Sequence, residues 1–349
     1  MNRDIENRIL DNVVNAAKLS HRSVGRFKGR AMKGGVVIEE SGWSRNVLLS
    51  QWFDFLFSGV IGASDGIAGF LAGAGTANVS ETDTSLQAYL GGGNDFQFAE
   101  VVSKTDAPRG TIVRVRIRAA EGAIVGNVGE VGLYRSNVTT TPAANRVLIN
   151  HARLRDTAGN PTAVGVKSDE YFELECEIIT YAIEGATGTL TVKIAGVPTD
   201  FDYEIRPINM LHIASWPNVS GFGSNNRTYA PTGIPSVATA NQSMCYVTAE
   251  TTFGDPGSSA QPAGYASTNR FATRVLDNYT AGSKQRLSTI RLPLNNGNIA
   301  APGFRSININ FAFGTAAWGT HQMLLDGPLQ KIAGQVFDLP INVSMGNAP

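Results

Sequence analysis

Between residues 95 and 205 apolar and polar residues alternate in short runs, separated by Gly, Pro, Asn and Asp. The runs are FQFAEVVSK, TIVRVRIRA, VGEVGLYRS, RVLINHARL, AVGVKS, YFELECEIITYA, GTLTVKIAG and FDYEIRP. Successive side chains of a strand point to opposite faces, so a period of two marks a sheet with one covered face. In the second run Val113, Val115 and Ile117 alternate with Arg114, Arg116 and Arg118. In the sixth, Phe172, Leu174, Cys176 and Ile178 alternate with Glu173, Glu175 and Glu177. Short strands without helical crossovers predict an antiparallel sandwich or barrel, not a parallel sheet. A second β-rich stretch follows with MCYVTAETTF, NRFATRVLDNY, KQRLSTIRLPL, RSININFAFG and QVFDLPINVSM.

Helical spacing is confined to the first part of the chain. Ile5, Ile9, Val13 and Ala17 recur every four residues, which predicts an amphipathic helix over 1–20. The next segment, HRSVGRFKGRAMKGG, carries Arg22, Arg26, Lys28, Arg30 and Lys33 and no acid. It reads as a basic arm that would lie on an acidic neighbour. Ser44 is placed to cap a helix bearing Leu48, Leu49, Trp52, Phe53 and Leu56. A buried strand is expected around Gly69–Ala72, a short helical piece at Leu86–Leu90, and a flexible joint at Gly91-Gly92-Gly93.

The resulting expectation is a mainly β protein with two antiparallel β-sandwich, jelly-roll-like domains behind an N-terminal amphipathic helix and basic arm. Residues 1–40 form the helix and arm, 41–210 the first sandwich, 211–243 a linker or long loop, and 244–349 the second sandwich. The linker holds PNVSGFGSNNRTYAPTGIPSVATANQS, in which Arg227 is the one charged residue. A second loop, 254–268, reads GDPGSSAQPAGYAST.

Composition narrows the function classes. The chain has 349 residues, with 29 Lys+Arg against 29 Asp+Glu. A zero balance removes the general electrostatic drive toward nucleic acid or an anionic membrane surface. The N-terminus lacks the apolar region of a signal peptide, and Asp54 and Asp65 interrupt the most apolar stretch, so no membrane insertion is expected. Cys176 and Cys245 cannot build a disulfide framework and read as small core hydrophobes.

Catalytic and metal motifs are not found at their required spacings. His21, His151, His212 and His321 are scattered singly. Glu173, Glu175 and Glu177 share one strand face, so they do not oppose one another across a sugar as a glycosidase pair must. No catalytic residue, metal ligand or cofactor is assigned, and the chain is read as not an enzyme.

Three stretches carry a resemblance. They are NVLLSQWFDFLFSG with GFLAGAGTANVSETDTSLQAYLG, then GEVGLYRS with NRVLINHARLRDTAGNPTAVGVKSDEYFELECEI, and finally GPLQKIAGQVFDLPINVSM. Together they resemble structural proteins of tailed bacteriophages, with Arg153, Asp156, Gly159, Pro161, Asp169, Glu170 and Leu174 at the matching turn and strand positions. The resemblance covers most of 44–180 and, more loosely, 290–349. It implies a virion component of the tail, baseplate, collar or short-fibre kind, assembled in the host cytoplasm as a homo-oligomer such as a trimer, with other virion proteins as partners. Ile5, Ile9, Val13, Arg22, Arg26, Lys28 and Arg30 are the expected assembly contacts. The alternative is a host-adsorption protein that contacts a surface receptor through loops 217–243 and 254–268, with Phe222, Arg227, Tyr229 and Tyr265 as contacts. A polysaccharide-degrading enzyme is the third and least favoured reading.

Overall fold

Alternation of the predicted kind is what the chain builds into sheets. The computed structural model describes residues 15–58, 67–135, 147–194, 197–208, 245–258, 273–276, 279–309 and 321–348. In order come β1 (Ala17–Lys33), β2 (Val36–Glu40), β3 (Ser44–Leu48), α1 (Ser50–Ser58), β4 (Ile67–Gly73), β5 (Tyr89–Gly93), β6 (Asp95–Lys104) and β7 (Gly110–Arg118). The middle of the chain gives β8 (Gly126–Val128), β9 (Glu130–Arg135), β10 (Val147–Leu148), β11 (Asn150–Arg153), β12 (Val164–Val166), β13 (Tyr171–Tyr181), β14 (Ala186–Ile194) and β15 (Val197–Pro207). The last part gives β16 (Cys245–Thr248), β17 (Thr273–Leu276), β18 (Gln285–Leu292), β19 (Phe304–Ile309), β20 (His321–Leu329) and β21 (Phe337–Asn347).

The protein is mainly β, with large antiparallel sheets. A 14-stranded network runs β17-β18-β21-β1-β3-β11-β9-β4-β5, with β13, β7 and β6 added in turn from β1. A second sheet runs β14-β15-β20-β19-β16, and β12 pairs with β8. The pairing of β1 with β21, Ala17 opposite Ile341 through Ser23 opposite Asn347, is parallel.

Among the described residues the buried apolar side chains form two large clusters and a smaller one of Leu49, Ala68, Leu71, Leu86, Tyr134 and Leu148. One large cluster joins Phe27, Phe53, Phe70, Val115, Leu133, Phe172 and Leu174. The other joins Leu19, Leu190, Ile205, Val247, Phe304, Met323 and Ile341. The expected linker, 211–243, lies outside the described residues. Strand β1 belongs to both large clusters, since Ala17 and Leu19 enter the second and Phe27 and Ala31 the first.

The N-terminal helix and arm need correction. Residues 1–14, with Ile5, Ile9 and Val13, lie outside the described residues, but Ala17–Lys33 is one strand at the centre of the large sheet. Every second residue from Ala17 to Ala31 is buried, and the basic residues occupy the positions between. The alternation of Arg26, Lys28 and Arg30 with Gly25, Phe27, Gly29 and Ala31 carried that signal. A period of two outranks the four-residue spacing of Val13 and Ala17 because a sheet already surrounds the segment. Gly29 has a further role: a Cβ there would meet the Phe172 ring across β13.

Three smaller readings also change. Ser44 lies in β3 and its hydroxyl accepts the Arg155 N–H at 2.8 Å, while the helix starts at Ser50. Tyr89–Gly93 is a strand and not a helical piece. The glycine triplet is packed tightly and is not a joint: Cβ atoms at Gly91 and Gly93 would collide with the carbonyl oxygens of Ala123 and Arg118.

Candidate functional site

The charged residues singled out in the sequence converge on one sheet face. Register between β1 and β13 sets Arg26 opposite Glu177, Lys28 opposite Glu175 and Arg30 opposite Glu173. Register between β13 and β7 sets Arg114, Arg116 and Arg118 opposite the same three glutamates. An acidic strand thus lies between two basic ones, the arrangement in which directly opposed side chains attract.

Glu173 is the hinge of this ladder. Its side chain is 3% exposed, with Arg118 at 3.1 Å, Arg30 at 3.7 Å and Arg116 at 4.0 Å. Glu177 takes Arg26 at 3.0 Å and Arg114 at 2.9 Å, and Glu175 takes Arg30 at 2.6 Å. At the margins Glu40 holds Lys28 and Arg30, and Glu100 holds Arg114. Burial works against the charge on Arg30, yet the Glu40 and Glu175 carboxylates outweigh it and raise its pKa. The Trp43 ring covers the Arg26 guanidinium at 4.5 Å, and Tyr171 covers Arg118 at 4.3 Å. Arg26, Lys28 and Arg30 are therefore occupied within the chain, and Arg22 sits exposed on β1 opposite Tyr181. The acidic neighbour expected for the basic segment is this protein's own β13.

Next to that ladder the chain exposes apolar surface. Lys33 pairs with Val36 across a two-residue turn in which Gly34 and Gly35 both have positive φ, 58° and 84°. Such a turn demands residues without a Cβ penalty and directs a tight hairpin. All five residues of β2 are exposed, including Val36 at 63%, Val37 at 44% and Ile38 at 51%. One edge of β2 pairs with β1, and among the described residues no strand pairs with its other edge. The Glu39 carboxylate accepts the Gly165 N–H at 2.9 Å and so ties down the C-terminal end of β2.

His151 is a histidine that meets two carboxylates. Its ring is fully buried, with Nδ1 2.8 Å from Asp83 and Nε2 2.8 Å from Glu130. Glu130 Oε1 also accepts the N–H groups of Gly75 and Ala88. Burial pushes the Glu130 carboxyl upward, but His151 and the Ala88 and Gln87 amides outweigh it and leave its pKa lowered. Both ring nitrogens are engaged and the ring is sealed from solvent, so the cluster clamps the 74–88 segment onto β9 and β11. Sequence spacing hid it because Asp83, Glu130 and His151 come from three separate elements.

Other titratable groups are also enclosed. Burial pushes the Cys176 thiol well above its usual value, and the neighbouring Glu177 and Glu175 add to the effect. Lys331 is 1% exposed and donates to the Leu294 carbonyl and to Asn298 Oδ1 at 2.9 Å. Burial lowers its pKa to about 8. Among the described residues no group of three or more His, Cys, Asp or Glu side chains is placed to hold a metal ion. Nor is any helix among them long and apolar enough to cross a membrane.

The receptor-contact candidates Phe222, Arg227, Tyr229 and Tyr265 lie outside the described residues, as does loop 217–243. Of loop 254–268 the described part ends at Ser258. No family model matches the sequence, and no curated protein or solved structure matches the chain.

Proposed function

We propose that the protein is a structural component of a tailed-bacteriophage virion. It works by contact with further copies of itself and with neighbouring virion proteins. In this reading two antiparallel, jelly-roll-like sandwiches share β1 as a common strand, and the shared strand makes them one stiff unit. Stiffness suits a piece that transmits position in a particle.

The observation that carries the reading is the β1–β2 hairpin. Three consecutive β-branched residues stand in solvent on a sheet edge whose backbone groups have no strand to pair with among the described residues. Proteins that act alone blunt such edges with charge, proline or a covering element. Here the charges come only at Glu39 and Glu40, after the apolar triplet. Covering Val36, Val37 and Ile38 would be favourable at roughly 25 cal/mol per Å² of apolar surface removed from water. The charged ladder beside it is matched internally, so apolar edge contact supplies affinity and charge supplies orientation.

Analytical ultracentrifugation of the full chain tests this. The wild type is expected to sediment as an oligomer, and Val37→Lys with Ile38→Lys as a monomer with unchanged circular dichroism. A wild type that stays monomeric at every concentration, alone and with the other virion proteins, would remove the proposal.

A further inference from the structure

Strands β14, β15 and β20 present a polar outer face, because Leu190, Phe201, Tyr203, Ile205, Met323 and Leu325 are turned into the core. On that outer face lies an open groove of about 560 Å³. Its floor is Leu324 with Asp202 and Glu204, Thr187 and Thr189 line one side, and Phe253, Arg305 and Asp326 line the other. The wall on the Phe253 side is held in place: Gln322 accepts the Gly254 N–H at 2.7 Å and donates to the Thr252 carbonyl at 3.2 Å. Register sets Thr189 opposite Asp202 and Thr187 opposite Glu204, so hydroxyls and carboxylates alternate across the pair.

We propose that this groove binds a neutral saccharide chain. A pyranose offers vicinal hydroxyls that donate and accept on its edge and C–H groups on its face. The groove supplies acceptors at Asp202, Glu204 and Asp326, donors at Arg305 and at the Arg206 guanidinium that lies 4.6 Å over the Phe253 ring, and apolar contact at Leu324. The guanidinium of Arg305 is fixed by the Leu325 carbonyl at 3.2 Å and 3.0 Å and by the Asp326 carbonyl at 2.5 Å. Fixed polar groups lose little freedom when a ligand arrives.

Charge distinguishes the ligand classes. An anionic ligand would face three carboxylates. A cationic peptide would face two guanidiniums, Arg305 and the Arg206 that Glu204 holds at 2.6 Å beside the Phe253 ring. An uncharged polyhydroxyl ligand meets neither obstacle. The groove is far from the hairpin edge in sequence and needs no assembly, so it stands apart from the structural role proposed above.

Saturation-transfer NMR on the full chain tests it, with maltotriose, cellotriose, mannotriose and galactotriose as probes and trilysine as the competing class. At least one saccharide is expected to bind. Asp202→Ala and, independently, the exposed Asp326→Ala are each expected to weaken it about tenfold, the loss of one charge-assisted hydrogen bond. Should Asp202→Ala fail to fold, Asp326→Ala decides. No saccharide binding, binding unchanged by the folded variants, or binding of trilysine in place of the sugars would each overturn the proposal.

Discussion

The imidazoles of His21 and His321 meet edge to face, with ring centres 5.8 Å apart, where β1 passes from one large apolar cluster to the other. Both rings are buried. His321 Nε2 accepts the Ile183 N–H at 3.1 Å, which leaves that nitrogen unprotonated. Burial lowers His21 to about 4 from 6.5, against a smaller upward pull from the Tyr181 carbonyl. Burial and the nearby His21 hold His321 well below its usual value.

The unfolded chain binds protons at these rings near pH 6.5, whereas in the folded chain His21 does so only near pH 4 and His321 well below its usual value. Stability is therefore undiminished above pH 6.5 and falls as pH drops below it, the His21 share being fully lost by about pH 4. For His21 the loss is on the order of 3 kcal/mol. Urea unfolding across this range is expected to show a falling midpoint, and His321→Gln a shallower fall. A midpoint that does not move between pH 7 and pH 4 would contradict buried neutral histidines.

Glu173 is expected to matter more than its neighbours on β13. Glu173→Gln leaves Arg30, Arg116 and Arg118 around an uncharged amide at a site 3% exposed. A loss of about 3 kcal/mol in urea unfolding follows from removing one side of a buried ion cluster. Glu175 has a side chain 36% exposed, and Glu175→Gln should cost less than about 1 kcal/mol. Equal losses for the two would mean that burial does not set the strength of the ladder.

Removing the clamp at His151 should loosen one segment before the whole. His151→Ala strands the Glu130 carboxylate in the core, at a cost of about 3 kcal/mol. Asp83→Ala keeps the His151–Glu130 contact and frees the exposed end, so a smaller cost of about 1 kcal/mol is expected. Hydrogen exchange should then speed up over 74–88 in Asp83→Ala, with β9 and β11 unchanged. Uniform acceleration across all strands would show that the segment is not separately held.

The thiol of Cys176 should stay inert in the folded protein. It faces the core opposite Phe27 on β1 and Val115 on β7, and burial disfavours the reactive thiolate. Peptide mapping after iodoacetamide is expected to find it unmodified in buffer and modified in urea.

Much of the architecture was legible along the chain. Strands such as Gly110–Arg118 and Tyr171–Tyr181 could be read because alternation is local: each side chain's direction follows from its neighbour's. The same rule reveals β1, yet its basic residues and glycines resemble a solvated segment when no partner is in view. The charged faces of β1, β7 and β13 were visible as separate stripes. Their mutual neutralisation was not, since it depends on which strands lie side by side.

Residue order alone therefore specified a β-rich chain, the inward and outward faces of most strands, and the small or apolar character of the core positions. Pairing decided the rest: that Ala17–Lys33 lies between β13 and β21, that Glu173 is enclosed by three arginines, and that Asp83, Glu130 and His151 meet. The reason is that alternation costs nothing to read at short range. Contacts between distant strands are selected by the joint burial of both large apolar clusters, a property of the whole chain that no single segment contains.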